Sequence, residues 1–478
     1  SRLAGHVRQR ADVRAVADPT LALSYSEFDA VCQGLAQRIQ RDVKDSFVGI
    51  MAPSSAAGAV AIIATWYAGK IPIPLNFLLA ERELASVIAD AEIRVVLTIR
   101  HFATALEQHG LHVIEMDAKS LIPGTCAPPD RRAEDLAVVL YTSGTSGLPK
   151  GVCLTFDNIT HNARAAIEAA RMTPDQVFLS VLPQFHSFGF TAMSVVPLWL
   201  GATVYYLPRF SPVAVVETIR ERNVSIFMAI PSMYAALLKM KSAPADAFLN
   251  TSLLISGGEP LPQSLAAAFN ERFHATIHEG YGMTETSPIV SLNAPHAHRA
   301  GSVGRALPGI GVIARDEAGN VLNCNQTGEL QISGHCVMKE YLNQPQETAR
   351  ILVDGKIASG DIGHVDDEGY IFITGRAKDL IIVAGENVYP REIEDVLREH
   401  PAVADAAVVG RAAESRGEVP VAYVELVPER SASSADLRAF CKSRLAGFKV
   451  PREVVVVEEL PRSATGKVLK RALGDTTA

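Results

Sequence analysis

Short apolar runs and amphipathic stretches alternate over the first three quarters of the chain. Residues 137–141, 203–207, 224–230 and 252–256 read as buried strands. Residues 211–222 carry helical spacing. Ser211 is placed to cap that helix, and Pro212 falls in its first turn, where a missing N–H costs nothing. Strands alternating with helices predict an α/β fold, with a mainly parallel sheet covered on both faces.

The texture changes near Gly301. Gly-rich, strand-biased segments run through Ile373 and predict a β-rich subdomain over about 301–375. The charged group Arg376, Lys378 and Asp379 follows, and predicts a hinge at 376–379. Beyond it come a helix over 390–399, strands over 404–409 and 419–427, a helix over 434–445 and a strand over 453–457. We expect a large N-terminal α/β domain, 1–375, and a small α+β C-terminal domain, 380–478, of ordinary size for an independent unit.

Two uncharged stretches raise the question of a membrane span. Residues 46–69 contain Pro53 and two serines, and read as a strand over 47–51, a turn and a buried helix of small residues. Residues 176–208 are broken by Pro183, Gly189, Pro197 and Gly201. A span needs about 20 residues without such breaks, so neither is read as transmembrane. The net charge of −7 argues against a broadly basic nucleic-acid binder. Six cysteines without CxxC or metal-ligand spacing favour a reducing compartment over a disulfide framework. Residues 1–10 are polar and not read as a signal peptide, so a cytoplasmic location is expected.

The most informative segment is Tyr141-Thr-Ser-Gly-Thr-Ser-Gly-Leu-Pro-Lys-Gly151. It follows a strand and packs four aliphatic hydroxyls, three glycines and Lys150 into eleven residues. Glycines let backbone N–H groups turn toward an anion, and hydroxyls and lysine add donors, which suits phosphates. It is not a Walker A loop, because Lys150 lies between Pro149 and Gly151. Further along stand Glu279-Gly-Tyr-Gly-Met-Thr-Glu285, Ser359-Gly-Asp361, Gly375-Arg376 and Thr465-Gly-Lys467. Five motifs in this order resemble the acyl-adenylate-forming superfamily, which includes acyl-CoA synthetases, peptide-synthetase adenylation domains and firefly luciferase. The resemblance covers the chain from about Leu23 to Arg471.

That resemblance implies roles for single residues. Thr142, Ser143, Gly144, Thr145, Ser146 and Lys150 would hold the β- and γ-phosphates of ATP. Tyr281 would stack on adenine, with Gly258, Glu259, Gly280 and Gly282 around the nucleotide. Thr284 would contact the α-phosphate and Glu285 would hold Mg²⁺. Asp361 would accept from both ribose hydroxyls, helped by Arg376. Lys378 would be the hinge residue and Lys467 the catalytic lysine, bridging the two reacting anions. His186 would stand at the mouth of the acyl pocket, with Phe188, Gly189 and Gly257 along the acid. Gly385, in a face that swings in for the second half-reaction, would let the pantetheine arm of CoA pass close to backbone. A Trp common before the Ser-Gly-Asp motif is missing here, and Ser146 and Ser359 replace commoner threonines.

The acid is narrowed by charge. No acidic residue lies between Asp175 and Glu217, so an amino acid's ammonium would be buried without a partner, which is expensive. An apolar acid is favoured. The Phe-His-Ser-Phe-Gly-Phe wording is similar to fatty-acyl-CoA ligases, and the compact run from Met338 to Asp361 favours thioester formation. A phosphopantetheine-bearing acyl carrier protein as acceptor, an aryl acid, and a non-catalytic nucleotide sensor are the alternatives. Gly189 is expected to lie beside the acyl chain, because it lacks a side chain where bulk would block a tail.

Overall fold

The computed structural model describes residues 2–142, 149–383, 386–413, 417–462 and 468–474. Its largest sheet has nine strands. In spatial order they are Arg305–Ala306, Ile289–Leu292, Ile277–Gly282, Leu253–Ser256, Ile226–Ala229, Val177–Ser180, Thr203–Tyr206, Arg14–Ala17 and Ala22–Ser24. The run from Ile277–Gly282 to Arg14–Ala17 is parallel throughout. Ile226–Ala229 and Leu253–Ser256 are buried at every position, as strands covered on both faces must be. The helix Pro212–Glu221 starts where the sequence expects. Ser211 accepts from the Ala214 N–H, and Val215, Val216 and Ile219 point inward at helical spacing.

A second sheet is parallel throughout, ordered Ile71–Pro74, Phe47–Met51, Val95–Thr98 and His112–Glu115. The helix Ala56–Tyr67 follows Phe47–Met51 and is buried almost all round, which accounts for the first uncharged stretch. The second resolves into the strand Val177–Ser180, a π-helix Phe188–Val195, the helix Val196–Leu200 and the strand Thr203–Tyr206. Among the described residues, no helix is long and apolar enough to cross a membrane. Arg2–Gln9, read as merely polar from sequence, forms a helix.

The later part is antiparallel. Ile310–Arg315, Gly328–Gly334, Lys356–Val365 and Ile371–Arg376 pair in order. Two pieces of the span expected to be β-rich join other sheets. Arg305–Ala306 extends the nine-stranded sheet. Glu340–Tyr341 pairs with Lys150–Thr155, the return strand of the hairpin begun by Leu136–Thr142. The short helix Pro345–Ile351 was not expected from sequence. From Ile381 on, the chain buries a core of its own, with Val383, Ile393, Leu397, Val408, Val424 and Leu437 at its centre.

Candidate active site

The described parts of the motifs at 279–285, 359–361 and 375–376 gather outside the carboxyl ends of the parallel strands, the usual ligand position in an open α/β sheet. Ser256, the last residue of its strand, pairs with Glu279, whose strand runs on to Gly282. Gly257 and Gly280 follow side by side: a Cβ on Gly257 would stand 3.4 Å from the Gly280 carbonyl oxygen and 3.2 Å from the Phe188 ring. The glycine is what lets the aromatic ring lie against the strand end. Gly258 turns the chain with φ +82°, and leads to the half-buried Glu259. Gly282 admits no side chain, since a Cβ would meet the Pro288 carbonyl oxygen at 1.9 Å.

The residues expected to meet the ribose are fully paired. Asp361, 4% exposed, receives the Tyr281 hydroxyl on Oδ2 at 2.6 Å and lies 3.0 Å from Arg376 Nε through Oδ1. Asp361 and Arg376 are direct cross-strand partners, so the ion pair is built into sheet register. Each carboxylate oxygen keeps a lone pair for a further donor. Burial and the neighbouring Asp361 hold the Tyr281 phenol well above its usual range, so it stays a donor. Ser359 Oγ accepts from the Asp361 N–H at 3.1 Å.

The phosphate end is built differently. Thr142 and Lys150 face each other across the hairpin. Ser143, Gly144, Thr145 and Ser146 lie outside the described residues, as do Gly385 and Lys467. Lys150 is 7% exposed and ion-pairs with Glu347. Thr284 and Glu285 open a 3₁₀ turn, Thr284–Thr286. Tyr341 donates its hydroxyl to Glu285 Oε1 at 2.6 Å, leaving Oε2 without a protein partner among the described residues. A half-buried carboxylate with one oxygen pinned and one free suits a divalent cation.

The acid side joins the nucleotide side through Ser187, whose hydroxyl is 3.1 Å from that of Thr284. His186 beside it is exposed. The eight-residue π-helix that follows is an uncommon form, frequent at functional sites. Behind it, Ser194 Oγ receives Gln184 Nε2 at 3.1 Å and the Tyr206 hydroxyl at 3.2 Å, and donates to the Gly189 carbonyl at 3.2 Å.

The expectation for Gly189 is corrected here. A Cβ at 189 would stand 2.1 Å from the Pro183 carbonyl oxygen and 2.9 Å from that of Leu182. A side chain there would be driven into backbone, not into an acyl slot. The glycine is needed so that the π-helix can start tight against the preceding loop.

Four residues of the site escape sequence reasoning. Ser187 sits inside a motif read only for its histidine and aromatics. Tyr341 lies in a run read only for its length. Glu347 follows a Pro at a helix start, a legible signal for the helix but not for its partner. Glu279 was read as the opening of a motif. It is buried and accepts from the Leu261 N–H at 3.0 Å, and burial pushes its carboxyl up to about 7, opposed by Arg391 from beyond the 376–379 turn. Arg391 also donates to the Ile373 carbonyl at 2.7 Å. Lys378 is exposed in the 3₁₀ turn Ala377–Asp379.

The chain matches the family model described as AMP-binding enzyme over residues 3–342, and the AMP-binding enzyme C-terminal domain over residues 392–467. It is 30% identical to a long-chain-fatty-acid–CoA ligase of Bacillus subtilis, covering 90% of this chain and 85% of that one. It is 33% identical to a feruloyl-CoA synthase of an Amycolatopsis species, covering 88% and 87%. The fold superposes on ATP-bound MatB from Rhodopseudomonas palustris with a TM-score of 0.93 at 30% identity, covering 99% of this chain and 98% of that one. The chain therefore belongs to the AMP-binding enzyme family, whose AMP-forming CoA ligases work with ATP, Mg²⁺ and CoA.

Proposed function

We propose that this chain activates an apolar carboxylic acid, of the medium- or long-chain fatty class, as acyl-AMP with release of pyrophosphate, and then passes the acyl group to CoA. The observation that carries the reading is the Ser187–Thr284 contact. It joins the segment assigned to the acid to the residue assigned to the α-phosphate, the two groups that must react. A carboxylate is a poor electrophile, and its attack on the α-phosphorus brings two anions together. The task of the chain is to hold them in line and to offset charge on the phosphoryl oxygens.

In this reading Tyr281 stacks on adenine, its ring angle set by the hydroxyl it gives to Asp361. Asp361 accepts from the ribose hydroxyls, and Arg376 donates to a ribose oxygen. Thr142 to Lys150 cradle the β- and γ-phosphates, Thr284 donates to the α-phosphate, and Lys467 bridges the acid and that phosphate. The free oxygen of Glu285 would hold Mg²⁺, which supplies charge neutralisation on the phosphates. For the second half-reaction the part beyond the 376–379 turn rotates, Lys467 withdraws, and the stretch that contains Gly385 admits the thiol.

An apolar acid is supported by the lining segment: the Phe188 ring lies on Gly257, and the π-helix is buried with no carboxylate along it. An aryl acid is the second reading, supported by the Phe188 ring beside Gly257 and by the feruloyl-CoA synthase relative. The test is pyrophosphate release over saturated acids of rising length and over hydroxycinnamates, each with CoA, with a phosphopantetheinylated carrier protein, and with neither. The fatty-acid reading requires the highest kcat/KM on the longer saturated acids, with thioester formed on CoA. Best turnover on a cinnamate, or acyl transfer to the carrier protein alone, would overturn it.

A further inference from the structure

Lys150 sits deep in the phosphate end, where an unpaired ammonium would be costly. Its partner is Glu347, on the helix Pro345–Ile351. The Lys150 ammonium also lies 5.4 Å from the centre of the Tyr341 ring, a favourable cation–π position. The segment that carries Tyr341 and Glu347 is fastened at several points. Leu342 N–H donates to the Gly151 carbonyl at 2.7 Å, and Met338 N–H to the Glu285 carbonyl at 2.8 Å. Thr348 Oγ1 accepts from the Tyr341 N–H at 2.9 Å. One short stretch therefore touches both the phosphate-loop lysine and the acid assigned to Mg²⁺.

Glu347 differs from Asp361 in one respect that matters. Its side chain is 36% exposed, and Arg350 stands 3.2 Å away on the same helix. If Lys150 turns to another anion, water and Arg350 can take up the carboxylate at little cost. Lys150 has no such freedom, because it needs a counter-charge whether or not a ligand is present. The pair is thus asymmetric: the buried partner must be neutralised and the rim partner can be released.

We infer that Glu347 is a resident counter-ion, which neutralises Lys150 before a polyphosphate binds and yields it to the polyphosphate when one does. This deepens the nucleotide assignment above and rests on it. Glu347 is a positioning residue for ATP. It keeps Lys150 in place and weakens polyphosphate affinity by competing for the lysine, which eases release of pyrophosphate.

The test is calorimetric titration of the full chain with Mg·ATP and with Mg·pyrophosphate. Glu347→Gln should bind both about two- to five-fold more tightly, the scale of a partly exposed ion pair. Glu347→Asp keeps the charge and should bind as the unmodified chain does. Lys150→Met should bind more weakly, and adding Glu347→Gln to it should restore nothing. Thermal melts run in parallel show that each variant is folded. The inference is overturned if Glu347→Gln binds ATP no more tightly than the unmodified chain. It is equally overturned if the gain survives in the Lys150→Met background, or if Glu347→Asp shows the same gain. Failure of the nucleotide assignment itself would look different: the unmodified chain would release no pyrophosphate from ATP with any acid.

Discussion

The residues expected at the two ends of the nucleotide hold charge in opposite ways. Asp361, expected to meet the ribose, is buried between Tyr281 and Arg376: Arg376 stands opposite it on the neighbouring strand, and Tyr281 reaches it from the nine-stranded sheet. Nothing there has to move when a ligand arrives, because the carboxylate offers unused lone pairs. Lys150 and Glu285, expected to meet the phosphates and their cation, are held by Glu347 and Tyr341, side chains of a separate segment, and in the proposed reading would be shared with the ligand. The difference teaches a division of labour. A permanent, neutral-by-design seat binds ground and transition states alike, whereas charges with provisional partners can respond to charge that develops during reaction.

Three experiments would break or sharpen that contrast. The largest effect is expected at the phosphate end. Lys467→Ala should slow adenylate formation by about 10²–10³-fold, the scale of losing one preorganised donor. Thioester formation from supplied acyl-AMP should stay within a few-fold. Single-turnover assays of the two halves check this, and an equal fall in both would refute the assignment of Lys467 to one half-reaction.

The ribose seat should respond in binding. Asp361→Ala removes charge-assisted hydrogen bonds and should raise the KM for ATP by roughly 10- to 100-fold. Turnover at saturating ATP should change far less. Steady-state kinetics over ATP concentration separates the two, and a loss confined to turnover would show that the ribose end is not a passive seat.

The smallest effect lies beneath the seat, at Glu279. Its folded-state pKa of about 7 lies above the ordinary 4.5. Between those values the folded chain binds more protons than the unfolded one, so this group costs stability as pH rises through that window. His278 works the other way: burial pushes it down to about 4 from 6.5, so stability rises with pH between those values. Glu279→Gln keeps an acceptor for the Leu261 N–H and removes the first effect alone. Its stability relative to the unmodified chain should improve from pH 5 to pH 8 by on the order of 1 kcal/mol. Denaturant melts at the two pH values measure it, and a gap that stays flat would mean that Arg391 already compensates the charge.

What could be read from sequence follows the same line between local and distant causes. The helix at 212, its Ser211 cap and the buried strands were legible because their signals sit within a few residues of each other. Asp361, Tyr281 and Thr284 were legible as candidates for the same reason, each standing in a short motif. Tyr341 and Glu347 were not legible as site residues, since their partners lie 56 and 197 residues away. Gly189 was misread because the meaning of a missing side chain depends on what stands opposite, and here that is the Pro183 carbonyl. The strands Arg305–Ala306 and Glu340–Tyr341 carry ordinary strand sequences, and only their pairing shows which sheet they serve.

Arg376 is the last residue of its strand, and the turn Ala377–Asp379 begins at the next one. The rung that pairs it with Asp361 is therefore the final one before the chain leaves for its last hundred residues. This makes the peptide bond after Arg376 a natural splice point. A hybrid joined there would inherit the Asp361–Arg376 rung intact from a single parent and could take its C-terminal portion from another. A hybrid joined a few residues earlier would draw the two halves of that rung from different ancestors, and its nucleotide affinity would depend on how well they happened to agree.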